Sequence, residues 1–189
     1  MSDSAKEASI KSEKDTLRES IKRKLHLMDK QEKEDASDSI SEKIIEKVRE
    51  KSSVLCYSPL QSEPNIWPAI KYWLKSDIRV CLPKVEGNSI ESYAIKETEN
   101  LIRSSMGILE PDPSIHAKVN TMEIDFIIIP GIGFSRDGKR LGRGGGYYDR
   151  YLETTLEQTL KIGVAFSLQI IAEIPMQTHD IAVDLLITD

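Results

Sequence analysis

The chain has 189 residues, of which 39% are hydrophobic and 30% charged, and its formal net charge is −5. This length is typical of one globular domain, and the composition argues against a disordered chain. A mildly acidic chain is a poor general binder of nucleic acids or anionic membranes. We therefore expect a protein that binds neither.

Compartment signals are few. The N-terminus is rich in Ser, Lys and Glu and lacks the apolar segment of a secretory signal, and no stretch approaches the length of a membrane span. Cys56 and Cys81 each lie in a short apolar run, where a buried, reduced thiol is expected. These features predict a cytoplasmic protein, with monomer as the default. We expect residues 1–12 to form a flexible tail and residues 13–189 to form a single domain.

Hydrophobic periodicity predicts alternating helices and strands. In chain order they are a helix carrying Leu17 to Met28, a helix starting at Asp29 and carrying Ile40 to Val48, a strand over 54–57, a helix from Pro64 to Leu74, strands over 79–82 and 92–95, a strand over 126–129, a helix over 148–160, and strands over 162–166 and 181–187. Pro83 and Pro130 are expected to end their strands. Continuous β-branched runs between helical patterns predict a parallel sheet covered on both faces. The predicted fold class is therefore α/β, a three-layer α/β/α arrangement of Rossmann-like type with a mostly parallel central sheet.

Glycine is concentrated in one segment. Seven of the ten glycines lie between residues 131 and 146, after the strongest strand signal and before a helical pattern. Asp137-Gly138 is a tight-turn signal, so residues 133–141 are expected to form a hairpin-like excursion. Residues 139–150 carry Lys139, Arg140, Arg143 and Arg150 against Asp149, a local charge of +3. Glycines let backbone N–H groups approach an anion, so the segment predicts a pocket for a polyanion, with phosphate favoured.

Known phosphate motifs do not explain this segment. No Lys-Ser or Lys-Thr follows a glycine, which excludes a Walker A loop, and the glycine spacing differs from the dinucleotide fingerprint. Ordering a segment with seven glycines costs much conformational entropy, and a flexible surface loop gives no reason for that cost. An RNA-binding Arg-Gly segment normally occurs in many copies within basic surroundings, whereas this one is single and lies in an acidic chain.

The run from Pro130 to Leu152 resembles the signature of the 5-formyltetrahydrofolate cyclo-ligases, also called 5,10-methenyltetrahydrofolate synthetases. The resemblance extends over residues 14–187 through Lys14 with Leu17-Arg18, Tyr57-Ser58 with Glu63, Gly107-Ile108-Leu109-Glu110-Pro111, and His179 to Asp184. It departs from the family where Pro64-Asn65-Ile66 follows Glu63, where Met106 replaces a common aromatic residue, and where Lys84 replaces a common Arg. None of these departures lies in the glycine-rich segment.

The resemblance implies a catalytic domain that uses ATP and Mg²⁺ to convert 5-formyltetrahydrofolate into 5,10-methenyltetrahydrofolate, ADP and phosphate. Phosphorylation of the formyl oxygen would give an imidate phosphate, which the neighbouring amine attacks with loss of phosphate. The protein then mainly aligns the formyl oxygen with the γ-phosphate and neutralises charge. The folate could carry a polyglutamate tail.

The resemblance also implies roles for individual residues. Arg143 and Tyr147 are the implied catalytic residues. The implied ATP contacts are Lys14, Arg18, Arg140, Leu141, Gly142, Arg143, Gly144, Gly145, Gly146, Tyr147 and Tyr148. The implied folate contacts are Tyr57, Glu63, Met106, Tyr147 and Tyr148, and the implied Mg²⁺ ligands are Asp149 and Asp180.

Simpler interpretations remain open for several of these residues. Lys14 and Arg18 also fit a solvated helix face, and Glu63 fits a solvated loop acid. Tyr148 also fits core packing, and Asp149 fits a first-turn acid that opposes a helix dipole. Asp184 rivals Asp180 as a metal ligand, since the two lie four residues apart. A non-catalytic nucleotide sensor and an RNA-binding protein are the alternative functions.

Overall fold

The structure is a computed structural model that describes residues 3–104 and 107–189. Its helices are α1 (Asp3–Leu27), α2 (Lys30–Ile45), α3 (Trp67–Leu74) and α4 (Tyr147–Leu152), and its strands are β1 (Ser53–Leu55), β2 (Arg79–Glu86), β3 (Ser89–Ala94), β4 (Ile102–Arg103), β5 (Leu109–Glu110), β6 (Lys118–Val119), β7 (Phe126–Pro130), β8 (Gly133–Ser135), β9 (Arg140–Leu141), β10 (Leu160–Val164), β11 (Ile170–Ile171) and β12 (Leu185–Ile187). No described helix combines the length and the apolarity needed to cross a membrane.

The central sheet has the order β12-β10-β7-β1-β2-β3-β6. The strands from β12 to β2 are parallel, and the edge formed by β3 and β6 is antiparallel. Strands β11, β8 and β9 form a small second sheet, and β4 pairs with β5 as a two-stranded ribbon. The predicted α/β class with a mostly parallel central sheet is confirmed.

Successive residues of a strand point to opposite faces of the sheet, and both faces of the central sheet are covered. On one face Val54, Val80 and Ile128 pack into a core that includes residues of α1, α2 and α3. On the other face Leu55 and Ile127 pack with residues of α4 and with Phe134 of the small sheet. This arrangement gives the three layers that the sequence predicts.

The start of α2 follows from its capping residues. The carboxylate of Asp29 accepts a hydrogen bond from the backbone N–H of Glu32 at 2.8 Å, and the Glu32 carboxylate accepts one from the backbone N–H of Asp29 at 3.0 Å. This reciprocal capping box stabilises the first turn. The predicted helix start at Asp29 is confirmed.

The helix predicted over residues 148–160 is present, but its predicted C-terminal end is wrong. Helix α4 ends at Leu152, and the hydroxyl groups of Thr154 and Thr155 donate to the carbonyls of Tyr151 and Leu152 at 2.7 and 2.8 Å. These bonds satisfy carbonyls that a continuing helix would have used. Leu160 pairs with Phe126 in the central sheet instead, so a helical spacing of leucines spans two different elements.

Pro83 does not end its strand, contrary to the prediction. Strand β2 continues to Glu86, with Pro83 opposite Ser92 of β3. The pairing of β2 with β1 stops at Cys81, so the side of β2 facing β1 is open at Pro83 and needs no N–H donor there.

Helix α1 is longer than the sequence pattern indicates. It begins at Asp3, so the described part of the expected flexible tail is helical, and its residues 5–9 are exposed. The mobility of this segment stays a prediction. Gly133 helps to hold the helix on the domain, because a Cβ atom there would lie 2.6 Å from the Ile21 side chain.

Candidate active site

A cleft of about 1230 Å³ opens at the carboxyl ends of β1 and β7. Ligands of open parallel sheets commonly bind at this edge, where the strand-to-helix connections meet. The sequence-predicted site residues that line the cleft are Lys14, Arg18, Tyr57, Glu63, Arg140, Leu141, Gly142, Arg143, Gly144, Gly145, Gly146, Tyr147, Tyr148, Asp149 and Asp180. Met106, the remaining predicted residue, lies outside the described residues.

The glycine loop, residues 142–146, connects β9 to α4 along one wall of the cleft. Gly144 and Gly146 have φ angles of +100° and +64°, which side-chain-bearing residues adopt only with strain. The turn of Asp137-Gly138 joins β8 to β9, so the predicted hairpin-like excursion over 133–141 is confirmed. The loop therefore brings backbone amides to the cleft surface on a path that requires glycine.

Helix α1 supplies two cations to this wall. Lys14 is 6% exposed, and its Nζ lies 2.5 Å from Oδ2 of Asp180. Arg18 donates from Nε to the carbonyl of Gly142 at 2.9 Å. A solvated helix face is therefore the wrong interpretation of both residues. Their charges point into the cleft, one against Asp180 and one against the glycine loop.

Arg140 and Asp149 form a second ion pair at the two ends of the glycine loop. One Arg140 guanidinium nitrogen donates to Oδ1 of Asp149 at 2.7 Å, and the Arg140 side chain is almost fully buried. The guanidinium lies 5.7 Å from the centre of the Tyr148 ring, and its Nε has no hydrogen-bond partner in the described part of the chain. Arg140 therefore carries one buried N–H donor that no described group satisfies.

Arg143 extends from the glycine loop to the opposite side of the cleft. It donates to Oε1 of Glu63 from Nε at 3.1 Å and from a terminal nitrogen at 2.8 Å, and the same nitrogen lies 3.0 Å from the Ser62 hydroxyl. Glu63 is 7% exposed, and its Oε2 accepts from the backbone N–H of Leu60 at 3.0 Å. Glu63 is therefore not a solvated loop acid, and both of its oxygens are engaged.

Three tyrosines, Tyr57, Tyr147 and Tyr148, also line the cleft. The Tyr57 hydroxyl donates to the carbonyl of Pro64 at 2.7 Å, and Arg150 lies over the Tyr147 ring at 5.2 Å. Burial, and then the nearby Glu63 carboxylate, raises the pKa of both Tyr57 and Tyr148. Both phenols therefore stay protonated at neutral pH. Tyr147 and Tyr148 also pack on the core, so core packing and a ligand contact are compatible at Tyr148.

Two carboxylates are available to a divalent cation. The backbone N–H of Ile181 donates to Oδ1 of Asp149 at 3.3 Å, which holds the residue after Asp180 against Asp149. Arg140 also uses Oδ1 of Asp149, and Lys14 uses Oδ2 of Asp180. The other oxygen of each carboxylate has no hydrogen-bond partner among the described residues, and Nε2 of His179 lies 3.9 Å from Oδ1 of Asp180. Mg²⁺ usually takes one or two carboxylates together with phosphate oxygens and water, and these residues fit that pattern.

Asp184, the rival metal ligand, lies elsewhere. Its Oδ2 accepts from the backbone N–H of Lys161 at 2.8 Å and lies 3.0 Å from the Lys161 ammonium. It is not among the residues that line the cleft, whereas Asp180 is. Within residues 3–104 and 107–189, no group of three or more His, Cys, Asp or Glu side chains is arranged to hold a metal by itself. A cation here would need ligand oxygens as well.

Sequence reasoning gave no site role to Lys84 or Glu110, which both line the cleft. The only sequence feature that pointed to either residue was its position. Lys84 follows a proline at the predicted end of a strand, and Glu110 lies in the Gly107–Pro111 segment. Neither signal indicates that the ribbon β4–β5 forms a wall of the site.

Comparisons with known proteins identify the family of this chain. The family model of the 5-formyltetrahydrofolate cyclo-ligase family matches residues 10–189. The chain is 35% identical over 130 residues to the mitochondrial 5-formyltetrahydrofolate cyclo-ligase of Arabidopsis thaliana, a match that covers 58% of this chain and 47% of that protein. It is 31% identical over 184 residues to the 5-formyltetrahydrofolate cyclo-ligase of Mycoplasma pneumoniae, covering 94% of this chain and 99% of that protein.

A solved structure resembles this chain in both fold and sequence. The NMR structure of the 5,10-methenyltetrahydrofolate synthetase of Aquifex aeolicus superimposes with a TM-score of 0.80 at 34% identity, covering 92% of this chain and 88% of that one. The family match over residues 10–189 includes the glycine loop. The chain belongs to the 5-formyltetrahydrofolate cyclo-ligase family, a family of ligases.

Proposed function

We propose that this protein converts 5-formyltetrahydrofolate into 5,10-methenyltetrahydrofolate, with ATP cleaved to ADP and phosphate. The observation that carries the proposal is the convergence of two buried cation–carboxylate pairs, Lys14–Asp180 and Arg140–Asp149, on the glycine loop. This cluster lines a cleft of about 1230 Å³. Typical small-molecule sites enclose roughly 300–1,000 Å³, so the cleft is large enough for two ligands together.

ATP binds along the glycine loop in this proposal. Lys14, Arg18 and Arg140 approach that loop from α1 and β9, and the loop supplies backbone N–H groups from Gly142 to Gly146. Phosphoryl transfer depends on alignment and on neutralisation of charge that spreads over the phosphate oxygens. Side chains already fixed by ion pairs offer that stabilisation with little reorganisation.

The chemistry proceeds in two steps. The formyl oxygen attacks the γ-phosphorus, the bond to the β-phosphate oxygen breaks, and ADP leaves. The resulting imidate phosphate has a good leaving group on the formyl carbon. The neighbouring amine nitrogen attacks that carbon, phosphate departs with its bonding pair of electrons, and the amine proton is lost to water or phosphate. Arg143 and Tyr147 border both reacting groups and stabilise the developing charge.

A Mg²⁺ ion held by Asp149 and Asp180 would neutralise phosphate charge as a Lewis acid. Tyr57 and Tyr148 enclose the folate in this proposal, since aromatic faces suit a planar heterocycle. Glu63 borders the folate and holds Arg143 in place through the contacts described above. We further propose that the protein acts as a cytoplasmic monomer and accepts polyglutamylated folates.

Turnover by the purified protein tests the proposal. With MgATP and 5-formyltetrahydrofolate, we expect the ultraviolet absorbance of the methenyl product to rise together with one ADP per turnover. Addition of EDTA in excess over Mg²⁺ should stop both signals, and renewed Mg²⁺ should restore them. ATP binding without folate-dependent ADP release would overturn the proposal and favour a nucleotide sensor. Binding to RNA that survives 0.1 M salt would favour the RNA-binding alternative.

A further inference from the structure

A second buried carboxylate lines the folate end of the cleft. Glu110 belongs to β5 and is 7% exposed, and Lys84, from β2, approaches it with Nζ 3.6 Å from Oε2. The ribbon β4–β5 is tied to the loop that follows Tyr57, because the backbone N–H of Leu109 donates to the Ser58 hydroxyl at 3.2 Å. Glu110 therefore lies on the wall that faces the proposed folate site.

This pair is incompletely satisfied by the protein. The distance of 3.6 Å is too long for a hydrogen bond, and among the described residues no donor lies within hydrogen-bond distance of the Glu110 carboxylate. A buried charge costs several kcal/mol unless it is paired and hydrogen-bonded. The hydroxyl of Ser104, on the same ribbon, is also buried without a partner in the described part of the chain. The Lys84–Glu110 pair thus has unused hydrogen-bonding capacity that a ligand can fill.

The other carboxylate at this end of the cleft is already occupied. Two guanidinium nitrogens of Arg143 donate hydrogen bonds to Oε1 of Glu63, and the backbone N–H of Leu60 donates to Oε2. A ligand that used Glu63 would have to break these contacts, whereas a ligand that used Glu110 would complete an unfinished pair.

The surroundings of Glu110 favour a flat ligand with one polar edge. Side chains that line this part of the cleft are Pro83, Val85, Ile90, Ile102 and Ile108. The reduced pterin of a folate presents on one edge a 2-amino group, a ring N–H and a carbonyl oxygen in a row. A carboxylate accepts from two adjacent N–H donors, and an ammonium beside it donates to the neighbouring carbonyl. Glu110 and Lys84 supply that order of acceptors and donor.

We propose that Glu110 and Lys84 determine the specificity for the pterin, with Glu110 accepting from the 2-amino group and the ring N–H and Lys84 donating to the ring carbonyl. This inference rests on the proposed function, because it takes a reduced folate as the ligand. It gives Glu63 a different task, which is to hold Arg143.

Binding measured by calorimetry without ATP tests the pair directly. The probes are 5-formyltetrahydrofolate and its analogue in which hydrogen replaces the 2-amino group. The unmodified protein should prefer the parent compound by about 10- to 100-fold, the loss expected for charge-assisted hydrogen bonds. Glu110→Gln should weaken binding of the parent by a similar factor and should largely abolish the preference. Lys84→Met should weaken binding of both compounds.

Matched controls separate recognition from folding. Glu91→Gln removes the carboxylate of the Glu91–Lys118 pair on β3 and β6, which does not line this cleft, and should leave both affinities unchanged. If Glu110→Gln does not fold, the double variant Lys84→Met/Glu110→Leu removes both charges and leaves none unpaired, and it should show the same loss of preference. A folded Glu110→Gln protein that keeps the unmodified preference would overturn the proposal.

The outcomes also separate this inference from the proposed function. If the unmodified protein binds and discriminates the two compounds but forms no product, the proposed function falls and the role of the pair stands. If the unmodified protein forms product but does not discriminate the two compounds, the pair has no such role. If it binds neither compound, both proposals fall.

Discussion

The two walls of the cleft hold their charges in different ways. On the glycine-loop wall, Lys14 and Arg140 are each fixed by a carboxylate at 2.5 and 2.7 Å, and those carboxylates are themselves held by backbone N–H groups. On the ribbon wall, Glu110 and Lys84 face each other at 3.6 Å among apolar side chains. The first wall is organised before a ligand arrives, and the second leaves a pair for the ligand to complete.

The difference suits the two ligands proposed. A triphosphate carries many charges, so preorganised dipoles and cations stabilise it without needing to identify it. A pterin carries little charge and is recognised by the order of its donors and acceptors, which side chains with free capacity can match. Substitutions on the two walls should therefore affect different measured quantities.

Arg140→Ala should have the largest effect, on both stability and turnover. The arginine is almost fully buried, and its loss leaves Asp149 without its ion partner. Breaking a buried pair in this way costs about 3–5 kcal/mol. Urea unfolding should show this decrease, and product formation should fall below detection. A variant with unchanged stability would contradict the preorganised character of this wall.

Arg143→Ala should lower kcat by about 10²- to 10³-fold, the usual cost of removing a group that stabilises transition-state charge. Its side chain is 46% exposed, so water can replace it, and the free energy of unfolding should fall by only about 1–2 kcal/mol. Arg136→Ala, an exposed arginine in the β8–β9 turn, serves as the control. Turnover of Arg143→Ala within a factor of two of the unmodified protein would show that its role is misassigned.

Lys14→Met should raise the KM for ATP by about 10-fold, as expected for a lost charge-assisted contact, and should leave the KM for the folate unchanged. The pairing partner Asp180 lies on the same wall, so the effect stays with the nucleotide. Lys24→Met changes an exposed lysine of the same helix and should alter neither constant. An equal rise in both constants would mean that the two walls are not independent.

The smallest expected effect is on the stability of the folded protein at alkaline pH. Burial raises the pKa of Cys56 and Tyr57, and that of Tyr148, in the folded state. In the unfolded chain these groups ionise near pH 8.5 for cysteine and about pH 10 for tyrosine. A raised folded pKa gives stability that is complete below the unfolded pKa and is lost as the pH rises above it.

The melting temperature should therefore stay constant from about pH 7 to 8, begin to fall above about pH 8.5, where the unfolded cysteine ionises, and fall more steeply above about pH 10, where the unfolded tyrosines ionise. Tyr57→Phe should make this fall shallower, whereas Tyr72→Phe, at an exposed tyrosine of α3, should not. A melting temperature that does not change between pH 8 and 11 would contradict the assignment of these groups as buried and neutral.

The sequence predicts the glycine-loop wall better than the ribbon wall, for a physical reason. A loop that requires positive φ angles and close backbone approach uses glycine, which can be recognised in the sequence. Gly144 and Gly146 both have positive φ angles. The ribbon depends on Leu109 meeting Ser58 across 51 residues, and no local pattern encodes such a contact. The strand β5 has only two residues, which is too short for a periodicity signal.

The same limit explains the errors in the elements. Leu152 and Leu160 have helical spacing, but Leu160 gains more from pairing with Phe126 in the sheet than from extending a helix into solvent. Pro83 reads as a strand end because the sequence does not reveal that the neighbouring strand stops first. Tertiary pairing decides both cases.

The ion pair between Lys14 and Asp180 joins residues 166 positions apart. During synthesis, Lys14 leaves the ribosome long before Asp180 is made. The ion pair can therefore form only after nearly the whole chain has been synthesised. The glycine-loop wall is therefore among the last parts of the molecule that can be completed. A chain that stops short of residue 180 has no partner for Lys14 and lacks a complete glycine-loop wall.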